Sequence, residues 1–158
     1  MLVFLGEYEA TMDLKGRFLL PAGLLKQLPA GADTSFVINR GFDECLYLYP
    51  KENWGPASAE INALSEYEPE NRKLKRLFNN GATEVSPDTA NRLLVPPNLK
   101  GFAALQRDIV LASNGDKVEI WDKSKYQQFF DSFTPDAFSA LAQKVMSKKD
   151  SDKKDSDK

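Results

Sequence analysis

The chain is expected to fold as an α+β protein made from one small β-rich module written twice. Three observations lead there. Asp13-Leu14-Lys15-Gly16-Arg17-Phe18-Leu19-Leu20-Pro21 aligns with Asp88-Thr89-Ala90-Asn91-Arg92-Leu93-Leu94-Val95-Pro96, and Asp, Arg, Pro and a following leucine (Leu24, Leu99) keep their offsets. Downstream, Phe36-Val37-Ile38 and Cys45 to Tyr49 recur in the same order as Ile109-Val110-Leu111 and Val118 to Trp121. Each hairpin-like pair of runs is then followed by residues at helical spacing. A chain of 158 residues has room for one domain, or for two small modules sharing a core, so the copies should pack together.

In the first module, Gly6 to Met12 reads as a strand approaching the turn Asp13 to Gly16, and Arg17 to Leu20 leaves it as an apolar β-prone run. Gly16 supplies the positive φ such a turn commonly needs, and the Asp13 carboxylate can accept from amides across it. Pro21 ends that strand and opens a helix, Ala22 to Leu28, with Leu24, Leu25 and Leu28 as its stripe. A hairpin turns around Arg40-Gly41-Phe42-Asp43, and a helix from Pro50 to Leu64 follows. Pro69 then opens a basic helix, Glu70 to Phe78, whose buried side should be Leu74, Leu77 and Phe78.

The second module repeats the order: Gly81 to Ser86, the turn Asp88 to Asn91, the strand Arg92 to Val95, and a helix near Leu99 to Leu105. Its hairpin is expected to turn at Asn114-Gly115. Asp122 is a candidate N-cap for a helix running to Phe133, with Tyr126, Phe129, Phe130 and Phe133 on one face. The domain plan is therefore module 1 over 1–64, a connecting basic helix over 65–80, module 2 with C-terminal helices over 81–146, and a tail over 147–158. That tail alternates Lys with Asp and Ser, holds no apolar residue and is expected to be disordered.

Composition narrows the function. Hydrophobic residues make up 42% and charged ones 28%, and no apolar run has the length of a membrane span. Residues 1–5 are apolar but lack a basic leader, so a cytoplasmic protein with no membrane partner is expected. Histidine is absent, which removes the commonest general base and metal ligand together. Cys45 is the single cysteine and sits in an apolar strand with nothing to activate it. An enzyme, a metal site, a cofactor and a small-molecule substrate are accordingly not expected. Net charge is −2, so any nucleic-acid binding must come from a local basic patch.

The turn Asp13-Leu14-Lys15-Gly16-Arg17 is such a patch. Two cations at the tip of a β-ribbon can enter a major groove, Arg17 pairing bidentately with guanine or clamping a phosphate while Asp13 fixes its direction. Taken singly, the same motif also suits an ordinary turn with a surface ion pair. Its recurrence at Asp88 and Arg92 in a repeat favours the functional reading. Arg72, Lys73, Lys75 and Arg76 are better read as the solvated face of an amphipathic helix.

Several stretches together resemble the MraZ family: Phe4-Leu5-Gly6-Glu7-Tyr8, Asp13 to Arg17, Arg40-Gly41-Phe42-Asp43 with Cys45 to Pro50, Gly81-Ala82-Thr83-Glu84-Val85, and Asp88 to Pro97. The similarity runs to about Phe133. It implies a duplicated swapped-hairpin (SpoVT-AbrB-like) β-barrel core with peripheral helices. It also implies a sequence-specific transcriptional regulator, cytoplasmic and nucleoid-associated, that binds short direct repeats in double-stranded DNA. The target would lie upstream of the division and cell-wall operon containing its own gene. Assembly into a homo-oligomeric ring is implied as well, so that many weak contacts add along one duplex. The family's DNA-binding turn carries over to Asp13, Lys15, Gly16 and Arg17, and to Asp88 and Arg92. Ala90 and Asn91 depart from the pattern, and the missing cation predicts a weaker second contact. A protein-interaction or scaffold module of the same fold is the alternative.

Overall fold

The computed structural model describes residues 2–29 and 34–156. They divide into two compact units, Met1–Lys123 and Ser124–Lys158. The first holds β1 (Glu7–Thr11), β2 (Arg17–Leu19), α1 (Ala22–Leu25), β3 (Phe36–Arg40), β4 (Leu46–Pro50), α2 (Lys51–Asn62), α3 (Pro69–Gly81), β5 (Thr83–Val85), β6 (Arg92–Leu94), α4 (Pro97–Phe102), β7 (Asp108–Asn114) and β8 (Lys117–Asp122). Helices α5 (Lys123–Asp131) and α6 (Pro135–Ser156) carry the chain onward. The architecture is α+β, and no helix among the described residues is long and apolar enough to cross a membrane.

Six strands form one antiparallel sheet in the order β1-β7-β8-β4-β3-β5, and β2 pairs with β6 as a separate ribbon. If β1 to β4 correspond to β5 to β8, both arrangements are palindromic. Each half completes its sheet with the other: β1 runs along β7, and β5 along β3. The two halves therefore interleave. The six-stranded sheet is open, with β1 and β5 as its edges, so its pairing does not describe a closed barrel.

Strand periodicity explains what each face of the sheet does. Phe36, Ile38, Leu46, Leu48, Ile109, Leu111, Val118 and Ile120 point into one core, which Phe18, Leu20, Leu93, Val95 and Leu99 close from the ribbon side. On the opposite face, Tyr49 meets Trp54 of α2 edge to face at 5.3 Å, and Trp54 stacks on Phe78 of α3 at 5.3 Å. Cys45 is fully buried, and burial pushes its thiol up to about 12, which leaves it protonated near neutral pH.

Three expectations need correcting. Of the three residues assigned to the buried side of the basic helix, only Phe78 is buried, while Leu74 and Leu77 are exposed at 38% and 55%. Phe78 docks the helix against Trp54, and Asn39 Nδ2 and Arg40 Nη1 donate to the Phe78 and Leu77 carbonyls at 2.9 and 3.1 Å. Its cations partly fold back onto the preceding loop, Arg72 donating to the Glu66 carbonyl at 2.8 Å and Lys75 pairing with the Glu66 carboxylate. The second hairpin turns one residue later than expected. Asn114 pairs with Lys117, so Gly115 and Asp116 are its central residues, and Gly115 has φ +66. A glycine at the first central position suits a primed turn.

The expected disordered tail is instead helical as far as Ser156, and residues 157 and 158 lie outside the described residues. Extending an existing helix needs no new nucleus, and nothing between Pro135 and Ser156 is Gly or Pro. The division into compact units falls at Ser124. Strand pairing across the copies commits both to one core. In the second unit, Tyr126, Phe129 and Phe130 of α5 contact one another, as their spacing predicted, and Phe129 also meets Phe133, which lies beyond the helix end at Asp131, with ring centroids 4.8 to 5.4 Å apart.

Candidate nucleic-acid interface

The two turns are built alike. In the first, the backbone N–H groups of Lys15 and Arg17 both donate to Asp13 Oδ1 at 2.9 Å, and Arg17 Nε donates to Asp13 Oδ2 at 3.0 Å. In the second, the N–H groups of Ala90 and Arg92 donate to Asp88 Oδ1 at 2.9 Å, and Arg92 Nε donates to Asp88 Oδ2 at 3.0 Å. The chain closes each loop in the same way, Gly16 N–H to the Asp13 carbonyl and Asn91 N–H to the Asp88 carbonyl, both at 3.0 Å. One carboxylate thus organises a five-residue loop and grips the guanidinium side-on, leaving both Nη nitrogens of each arginine for a ligand.

The left-handed position decides which residues fit. Gly16 has φ +86 and Asn91 has φ +60, so asparagine fills the place that glycine holds in the first copy. A Cβ at position 16 would also sit 3.4 Å from the Val95 carbonyl oxygen. Gly16→Ala is expected to destabilise the protein by roughly 1 kcal/mol or more, whereas Asn91→Gly should stay within about 0.5 kcal/mol. Urea unfolding of the two variants compares them directly, and equal effects would remove the conformational argument.

Charge reinforces this geometry. The Asp13 carboxyl lies below the ordinary carboxylate range, chiefly because the Arg17 backbone N–H bonds to it, with the Arg17 side chain and Lys15 N–H adding to the effect. Asp88 is lowered in the same way, first by the Arg92 backbone N–H. A carboxylate with a depressed folded pKa favours the fold at pH values above its unfolded pKa, and that contribution fades as pH falls through the folded value. Both turns should therefore stay closed at neutral pH and loosen only in acid. An NMR titration following the Arg17 amide should give a midpoint under the ~3.9 of an unstructured aspartate. A midpoint at or above that value would contradict the charged clamp.

The pairing of β2 with β6 places the turns at opposite ends of one ribbon. Its register is Arg17 with Leu94, Phe18 with Leu93, and Leu19 with Arg92. Beyond it, Leu20 N–H donates to the Asn91 carbonyl and Val95 N–H to the Gly16 carbonyl, each at 2.9 Å. Alternation sends Phe18 and Leu93 into the core and leaves Arg17, Leu19, Arg92 and Leu94 on the outer face. All the candidate residues are thus brought onto one element: Asp13, Lys15, Gly16 and Arg17 at one end, Asp88 and Arg92 at the other. Sequence reasoning missed Leu19 and Leu94, which are exposed at 58% and 51% between the arginines. The signal was an Arg-x-Leu spacing in both copies.

Known proteins match this sequence across both copies of the module. A family model described as "MraZ protein, putative antitoxin-like" matches the chain twice, over residues 3–77 and 78–149, one turn in each match. The chain is similar to a protein named transcriptional regulator MraZ from Christiangramia forsetii, 41% identical over 146 residues that cover 92% of this chain and 94% of that protein. Proteins of the same name from Herpetosiphon aurantiacus and Moorella thermoacetica are 40% and 35% identical over 143 residues, covering 90% of this chain and 96% of each relative. With two matched copies and relatives aligned over nearly their whole length, this chain belongs to the MraZ family.

Proposed function

We propose that the protein is a sequence-specific DNA-binding transcriptional regulator and not an enzyme. Its relatives carry the name of transcriptional regulators. The observation that carries the reading furthest is the matched pair of carboxylate-clamped arginines on the outer face of one β-ribbon. A guanidinium held side-on by Asp13 presents its two terminal nitrogens in the geometry that suits the O6 and N7 atoms of guanine. Lys15 adds a point charge for the backbone, and Leu19 and Leu94 offer apolar contact to thymine methyl groups. The target is short direct repeats upstream of the division and cell-wall operon containing its own gene. The protein works in the cytoplasm on the nucleoid, assembled as a ring whose subunits engage successive repeats.

The swapped-hairpin barrel also belongs to this proposal. Each half contributes one Asp-x-x-x-Arg turn, and the exchange of β1 and β5 between halves supports it. Helices α2 and α3 flank that core through Trp54 and Phe78. Titrating the full-length protein against a labelled duplex from upstream of its own gene, beside a scrambled duplex, tests the reading at a fixed salt concentration. Preference for the native sequence is expected, and equal affinity for both would sink it. The exposed leucines also suit a protein-interaction or scaffold module, which a stoichiometric protein partner with no affinity for DNA would establish instead.

A further inference from the structure

The first turn borders a groove of about 590 Å³ with walls from both halves of the chain: the stretch from Thr11 to Leu14 on one side, and Lys100, Gln106 and Arg107 on the other. Its far wall is anchored through the backbone. Met12 N–H donates to the Arg107 carbonyl at 2.7 Å, and Gln106 N–H donates to the buried Asp122 carboxylate at 3.1 Å. Lys100 is half-buried in the last turn of α4, and the Arg107 side chain is exposed. Among the described residues neither cation takes part in a salt bridge.

The carboxylates nearby are occupied or open elsewhere. Asp13, the acid in the groove lining, is committed to Arg17. Glu9 and Asp108 line a different groove together with Lys123, which pairs with Glu9 at 3.2 Å. The first-turn end of the ribbon thus presents Lys15, Arg17, Lys100 and Arg107 around the Asp13 carboxylate, which Arg17 neutralises, while the buried Asp122 carboxylate accepts from the Gln106 N–H. Among the described residues, the match to Lys100 beside the second turn is not a cation. The position four residues after the strand-ending proline is Lys100 after Pro96 but Leu25 after Pro21, and Leu25 packs against the core.

We infer that Lys100 and Arg107 form a phosphate-contacting shelf beside the first turn, which grips the backbone of a duplex whose bases Arg17 reads. The inference rests on the DNA-binding reading and makes the contact strongly polarised toward one end of the ribbon. Two cations without acidic partners release counterions when phosphates meet them, and this contribution is independent of sequence.

The test uses the full-length protein and the labelled native and scrambled duplexes, with affinity measured over a range of salt concentrations. The Lys100→Gln/Arg107→Gln double variant keeps the aliphatic stems and so should fold, as circular dichroism can confirm. Its plot of log affinity against log salt should be shallower than wild type by roughly 1.8 per engaged subunit. Both duplexes should be weakened by the same factor, so the preference between them is kept. Lys100→Arg should restore its share of the slope. Arg17→Ala should instead lose the preference.

A Lys73→Gln/Arg76→Gln variant removes the same charge from the exposed side of α3. If it flattens the slope as much as the shelf variant does, the shelf is overturned in favour of diffuse charge. An unchanged slope in the shelf variant, with wild type binding normally, also overturns it. Loss of binding in the shelf variant with Arg17→Ala unaffected would keep the shelf and sink the arginine reading. A wild type that binds neither duplex would end both.

Discussion

Arg17→Ala should abolish preferential binding to DNA from upstream of the protein's own gene while leaving the fold intact. The lost contact is the guanidinium held by Asp13 at 3.0 Å, at the more cationic end of the ribbon. A bidentate arginine–guanine pair contributes about 1–3 kcal/mol of discrimination, roughly five- to 150-fold per engaged subunit. In the ring proposed above, repetition would multiply that loss. Stability should hardly change, because the side chains of this ion pair are 30% and 39% exposed and solvent screens such a pair. Arg92→Ala should have the same sign and a smaller size, since Ala90 stands where Lys15 stands in the first copy. Arg17→Lys should rescue little, because an ammonium cannot both fill the Asp13 clamp and present a planar fork. Fluorescence anisotropy at one salt concentration measures all three, and an Arg17→Ala variant with wild-type affinity would refute the assignment.

Phe18→Ala should have the largest effect on stability of any single change in the ribbon. Phe18 is 1% exposed, lies opposite Leu93, itself 1% exposed, and belongs to the core shared by both halves. Truncating a buried phenylalanine costs about 3–5 kcal/mol, against a total of roughly 5–15 kcal/mol for a typical domain. Much of the population should unfold under mild denaturant. Leu19→Ala, one residue along on the exposed face, should cost no more than about 0.5 kcal/mol. Urea titration monitored through Trp54 and Trp121 reads both, and a Phe18→Ala midpoint near wild type would show that the ribbon is not cooperative with the sheet. Because Phe18 and Leu93 oppose each other, their alanine variants should combine non-additively.

Much of the local design was legible in the residues themselves. The duplication, the order of strands and helices and the two aspartate-organised turns all follow from spacing and turn chemistry. So does the tolerance of Asn91 at a left-handed position, which its φ of +60 bears out. Other features were not legible, each for a definable reason. Leu74 and Leu77 have helical spacing, yet the helix docks through Phe78 and leaves them outside. A charged run rich in lysine and aspartate suits disorder by composition, but it continues a helix already begun at Pro135. The hairpin near Gly115 was displaced by one residue because strand register, set by burial in the sheet, selected Gly115-Asp116 over Asn114-Gly115.

By itself, then, the sequence determined the two turns. The carboxylate, the left-handed residue and the arginine lie within five positions of one another, so every bond that shapes the loop closes inside it. Tertiary structure alone decided what those turns belong to. It joined β2 to β6, placed the turns at opposite ends of one ribbon, and brought Lys100 and Arg107 from the second half beside Asp13 in the first. Pairings between distant segments are chosen by the joint burial of Phe18, Leu93 and the sheet's inner face. No local stretch of sequence contains that cooperative quantity.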